Sequence, residues 1–259
     1  MKKLPILLSI PHGGATKPKE IINNLCITDK DLFNDSDPFV IEIYDLKDKV
    51  KKVIKTDIAR AFVDLNRAPE DLPPNNPDGV IKSSTCYQKP IYSKRKEPDE
   101  ELRRVLIETY YKPYHKLILK SIKDKDLKLC LDCHSMAAVA PDISPDGDKK
   151  ERPLFCISNQ DGKTASNEMI NFLADCISKS FSIERKEIFL NDPFQGGYIT
   201  RTYGNNPIPW IQIEMNRSLY LNKPWFNETK RIIDPSHLKK LNKNFEKSLE
   251  LFCSQYFQQ

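Results

Sequence analysis

Short apolar runs alternate with amphipathic stretches along this chain. Residues 4–10 form a near-continuous apolar run that stops at Pro-His-Gly-Gly, as in a strand buried on both faces and ended by a turn. Further short strands are predicted at 50–55, 61–65, 128–132, 154–158 and 208–215. Helical spacing predicts helices over 31–48, 98–123, 164–180 and 236–256. Pro113 is expected to kink the second of these, and Thr164 to cap the third. The stretch 67–90 carries five prolines and one glycine and reads as a long loop. Segments 140–151 and 191–204 read as loops too. Strands alternating with helices predict an α/β sandwich on a mostly parallel mixed sheet. No repeat, Gly/Ser linker or compositional break divides it, so 1–259 is read as one domain.

Composition narrows the function. With 39% hydrophobic and 30% charged residues, the chain is neither collagen-like nor disordered, and no apolar run approaches the ~20 residues of a membrane helix. The apolar N-terminus reads as a core strand and not as a signal peptide. Seven scattered cysteines read as reduced thiols in a cytoplasmic protein. The net charge of +5 raises nucleic-acid binding, but the lysines are dispersed, as in the pairs at 2–3, 51–52, 149–150 and 239–240. No helix-turn-helix, finger or RNP pattern is present. A solvated Lys-rich surface is the better account. Only 10 of the 41 basic residues are arginine, so each arginine is informative, its planar fork being suited to carboxylates and oxyanions.

Four polar clusters fall where strands end, the place where α/β sheets bind ligands: His12, Asn66-Arg67, Asp132/His134 and Glu214. Among four histidines in all, His12 and His134 each follow a strand-like run. Two imidazoles and a carboxylate would complete a catalytic zinc site with one open position. Gly13 and Gly14 leave room beside the first ring. In 58–67, Arg60, Asn66 and Arg67 can bind a carboxylate, or Arg67 can pair with Glu70 or Asp71. Glu214 ends an apolar strand and can serve as a base of raised pKa, or as an ion-pair partner of Arg217. Cys133-His134 suggests a thiol hydrolase, but neighbours on a strand point to opposite faces.

PHGG, Asp37 about 25 residues later, RAFVDLNR, LCLDCHS, GGYITRTYG and IQIEMNRSLY occur in this order. Together they resemble the N-formylglutamate amidohydrolase family over roughly residues 8–222. The resemblance implies a three-layer α/β/α fold like that of zinc carboxypeptidases. It implies a hydrolase that cleaves a small-molecule N-acyl amino acid, N-formyl-L-glutamate above all, with one Zn²⁺ and no nucleic-acid or membrane partner. A carboxypeptidase-like peptidase or amidase of the same fold is the alternative. His12 and His134 match the family's zinc ligands, and Asp37 matches its carboxylate ligand, with Asp35 two residues away. Glu214 matches the catalytic glutamate, Arg60 an oxyanion-stabilising arginine, and Asn66 with Arg67 the pair that holds the substrate carboxylate. Arg201 and Arg217 are further candidates for carboxylate contacts, and Tyr198 for the pocket lining.

Overall fold

The computed structural model describes residues 3–141, 144, 146–147 and 151–257. Strands β1 (Leu4–Ile10), β2 (Val50–Lys55), β3 (Leu129–Met136), β4 (Phe155–Ser158), β5 (Ile188–Leu190) and β6 (Trp210–Asn216) form one sheet in the order β2-β1-β3-β6-β4-β5. The first four in that order run parallel; β4 is antiparallel to β6, and β5 follows β4. A two-stranded ribbon, β7 (Phe226–Asn227) and β8 (Ile232–Ile233), stands apart.

The apolar runs are nearly unbroken because the central strands are covered on both faces. Ile6, Leu8, Ile10, Leu131 and Ile213 pack on one side, with α2 (Val40–Tyr44), α5 (Asn167–Phe181) and α7 (Pro235–Tyr256). Leu7, Cys130 and Trp210 face the other core, with α3 (Glu100–Leu106), α4 (Lys112–Ser121) and α6 (Tyr198–Tyr203). Three α/β/α layers result, as expected. Pro113 lies in the first turn of α4, and the backbone meets its missing N–H with a π-turn over Ile107–Tyr111.

Four local expectations are corrected. The helix expected over 31–48 is two, α1 (Asp29–Asp35) and α2, parted at Ser36–Pro38, where Pro38 disfavours helical geometry at Asp37. Residues 61–65 are a turn, not a strand. The Phe62 and Val63 N–H groups both bond to the Ala59 carbonyl, while Asp64 Oδ1 accepts the Asn66 N–H in an Asx-turn. The segment 191–204 contains α6. That helix is too short to stand alone and is held by distant groups: Gln212 Oε1 accepts the Gly197 N–H and Asn66 Oδ1 the Ile199 N–H. Thr164 does not cap α5. Its hydroxyl donates to the Trp210 carbonyl, and Ser166 Oγ accepts the Met169 N–H instead. Ser166→Ala is therefore expected to lower stability by about 1 kcal/mol, read from urea unfolding. The expected loop 140–151 and the Lys149–Lys150 pair lie wholly or partly outside the described residues.

Gly14 is needed for backbone approach rather than for ligand access. A Cβ there would lie 2.4 Å from the Asp57 carbonyl carbon, where the chain after β1 presses on the chain after β2. Gly13 packs likewise against Ile41. This packing turns Pro11-His12 inward over the carboxyl end of the sheet.

Candidate active site

His12 follows β1, while His134 lies inside β3, which continues past the expected end at 132 to Met136. Asp37, in the break between α1 and α2, is tied to His12 by its own N–H, which bonds to the His12 carbonyl at 3.1 Å. The two Nδ1 atoms stand 3.1 Å apart, and Asp37 Oδ2 lies 3.4 Å from that of His134 and 3.6 Å from that of His12. Tetrahedral zinc with bonds of about 2.0–2.1 Å sets its ligand atoms roughly 3.3 Å apart. All three side chains are buried, and they form a possible metal-holding group.

The far side of each ring faces a carboxylate. His12 Nε2 donates to Asp64 Oδ1 at 2.7 Å, and His134 Nε2 to Asp132 Oδ2 at 3.1 Å. With each ring proton there, both Nδ1 lone pairs converge on the Asp37 oxygen, an arrangement of acceptors that a cation stabilises. Charge points the same way. Burial alone would lower the His134 pKa, yet Asp132, Asp37 and Glu214 hold it well above the ordinary value. Burial would likewise raise Asp37, but His12, His134 and Arg217 keep it well below the usual carboxylate range. The donor set therefore fits a divalent ion.

Glu214 is the β6 residue in register with His134, so both project from the same face, and both line a cavity of about 730 Å³. Burial pushes its pKa to about 7; His134 and Arg60 pull it down, and Asp37 and Asp132 push it up. That value suits proton transfer near neutral pH. Glu214 is not paired with Arg217. It accepts a hydrogen bond from Gln212 Nε2 at 2.9 Å.

The arginines divide their work. Arg217 lines the cavity and is mostly engaged internally: it donates to Asp37 Oδ1, Ser135 Oγ and the Asn34 and Ser36 carbonyls, and so orients the Asp37 carboxylate. Arg60 gives two N–H groups to Asp64 Oδ2, leaving three donors beside the cavity. Arg67 pairs with Asp78, not with Glu70 or Asp71, and still lines the cavity. Arg201 lines it with no ion-pair partner among the described residues. Asn66 also lines the cavity, but its oxygen is spent on α6 and its nitrogen lies 3.2 Å from His134 Nε2. Tyr198 is not in the lining, because its ring packs in the second core beside His115, 5.9 Å between centroids. Cys133 lies in the first core, away from His134. Asp35, the other carboxylate near Asp37, turns to Lys82 and the Cys86 N–H.

The sequence carries no sign of a role for Asp64 or Lys82, and it sets Asp132 in a strand-end cluster with His134 without a role. Asp132 was open to inference, since residues two apart on a strand share a face, which puts it beside His134.

Fold and site together define an α/β protein with a buried imidazole–carboxylate cluster opening on an arginine-lined cavity. The N-formylglutamate amidohydrolase family pattern matches residues 4–221, and the chain belongs to that family. Two relatives are named N-formylglutamate deformylase. That of Pseudomonas putida is 25% identical over 230 residues, covering 85% of this chain and 83% of its own. That of Pseudomonas aeruginosa is 24% identical, covering 85% and 84%. Among solved structures, an N-formylglutamate amidohydrolase from Ralstonia eutropha JMP134 shares the fold with a TM-score of 0.80, 20% identity and coverage of 100% and 96%. A gene product from Agrobacterium tumefaciens does so with a TM-score of 0.68, 19% identity and coverage of 98% and 92%. No helix among the described residues is long and apolar enough to cross a membrane.

Proposed function

We propose that this chain hydrolyses the amide bond of N-acyl amino acids, N-formyl-L-glutamate foremost, with one divalent ion held by His12, Asp37 and His134. The observation that carries this reading is the convergence of two Nδ1 atoms and one carboxylate oxygen beside a buried glutamate. The names of the two Pseudomonas relatives support the substrate. Zn²⁺ suits the nitrogen and oxygen donors, and other transition metals share this preference. Bound there, such an ion supplies Lewis acidity, acidifying water and polarising the acyl carbonyl.

The chain's own groups do the rest. Glu214 takes the proton of the attacking water on a carboxylate oxygen and returns it to the leaving amine nitrogen as the C–N bond breaks. Arg60 offers its spare N–H groups to the charge growing on the carbonyl oxygen, a contribution of about 3 kcal/mol for such a donor. Asp64 and Asp132 fix the ring tautomers. Arg67 and Arg201 bind substrate carboxylates, and glutamate offers two. Both cores flank one sheet, which supports a single catalytic domain. Seven free thiols support work in a reducing compartment, the cytoplasm.

The test is metal analysis of the purified protein together with assays on N-formyl and N-acetyl amino acids and short peptides. One ion per chain and fastest cleavage of N-formyl-L-glutamate are expected; preferential release of C-terminal residues from peptides would mean a peptidase. Arg67→Lys should raise KM more for N-formyl-L-glutamate than for its α- or γ-amide, because a point charge loses bidentate contact. Equal losses on all three compounds would make Arg67 structural.

A further inference from the structure

The loop 67–90 buries a lysine. Lys82 is wholly inaccessible, and lysine is almost never so unless paired. Its Nζ meets three carboxylates: Asp78 Oδ1 at 2.6 Å, Asp35 Oδ2 at 3.3 Å and Asp64 Oδ2 at 3.7 Å. Each carboxylate turns its other oxygen to a different part of the molecule. Asp78 Oδ2 accepts Arg67 Nη2 at 2.7 Å. Asp64 Oδ1 accepts His12 Nε2 at 2.7 Å. Asp35 Oδ1 accepts the Cys86 N–H at 2.8 Å, which fastens the loop to α1. A folding role alone does not account for this cation, because a well-packed apolar side chain of similar volume commonly serves stability as well as a buried ion pair does.

We infer that Lys82 is a positioning residue that joins the two halves of the site, fixing the substrate-binding Arg67 through Asp78 and the metal-holding His12 through Asp64. The inference rests on the roles proposed above for Arg67 and His12. Lys82 does not line the cavity and touches neither substrate nor metal. It acts through carboxylates whose second oxygens engage Arg67 and His12. Removing it frees Asp78 to swing with Arg67, and it removes one of the cations, beside Arg60, that hold Asp64 under the imidazole.

The experiment compares wild type, Lys82→Met, Asp78→Asn and Asp64→Asn. Zn²⁺ dissociation constants are read by competition with a chromophoric chelator, and KM and kcat on N-formyl-L-glutamate. Lys82→Met should weaken Zn²⁺ binding about tenfold, the lower end of what lost outer-shell partners cost, and raise KM by a similar factor. Asp78→Asn should raise KM about tenfold and leave the Zn²⁺ constant within about twofold; Asp64→Asn should shift the Zn²⁺ constant. If Lys82→Met does not fold, the two aspartate variants carry the test: Asp78→Asn reports the Arg67 arm, and Asp64→Asn, whose Oδ2 also lies 3.9 Å from Arg67 Nε, is read on its Zn²⁺ constant. A folded Lys82→Met with wild-type Zn²⁺ affinity and KM overturns the inference. So does an Asp78→Asn variant with unchanged KM or with Zn²⁺ affinity falling in parallel. If the wild type binds Zn²⁺ but leaves N-formyl-L-glutamate intact, the substrate reading fails, and the Zn²⁺ constants still judge the tie to His12.

Discussion

Glu214→Gln is expected to retain its metal and lose about 10²–10⁴-fold in kcat, the usual cost of removing a general base. The substitution is nearly isosteric. Its amide oxygen can still accept from Gln212 Nε2, so the buried hydrogen bond survives while the proton-accepting oxygen pair does not. KM should change far less than kcat, which marks an interaction made in the transition state. Stopped-time product assays and elemental analysis of the same preparation decide it. Near-normal turnover would reduce Glu214 to a structural carboxylate.

The His12→Ala, His134→Ala double variant is expected to lose essentially all bound metal and all metal-dependent turnover. Only Asp37 would remain of the cluster, and one carboxylate oxygen does not retain an ion that three donors hold. Elemental analysis after exchange into zinc-containing buffer is the check; a full complement of zinc would place the metal elsewhere. Asp37, Asp64 and Asp132 would also lose their imidazole neighbours, so the thermal midpoint should be recorded alongside.

The sheet was legible because its signal is local. Central strands covered on both faces appear as apolar runs, and the bounds read for β1 match those observed, as do those of the lysine-bearing edge strand β2; the three-residue edge strand β5 was too short to stand out. The turn at 61–65 has the same apolar content as a strand, and what bends it is Asp64, whose carboxylate is engaged by His12, 52 residues away. Helix α6 escaped for a similar reason, since Asn66 and Gln212 hold its N-terminus from elsewhere in the chain. In the candidate site, the two histidines stood out by rarity and by their place after apolar runs. Arginine roles were not readable, because a guanidinium is defined by its acceptors. Those of Arg217 lie up to 183 residues distant, and only the fold reveals that they engage most of its donors. Lys82 gave no signal among 31 lysines.

His134 and Glu214 stand on the adjoining strands β3 and β6 and His12 just beyond β1, whereas Arg67 and Arg201 belong to a loop and a six-residue helix. Under the proposed roles, reactive chemistry and choice of amine are written in different parts of the chain. Segments such as 67–90 are the kind that tolerate replacement, so a different loop offers a route to redirect the catalyst toward other acylated amines. Such a graft has one constraint: it must keep a cation at the place of Lys82, because without it Asp35 is a buried carboxylate with no ion-pair partner among the described residues.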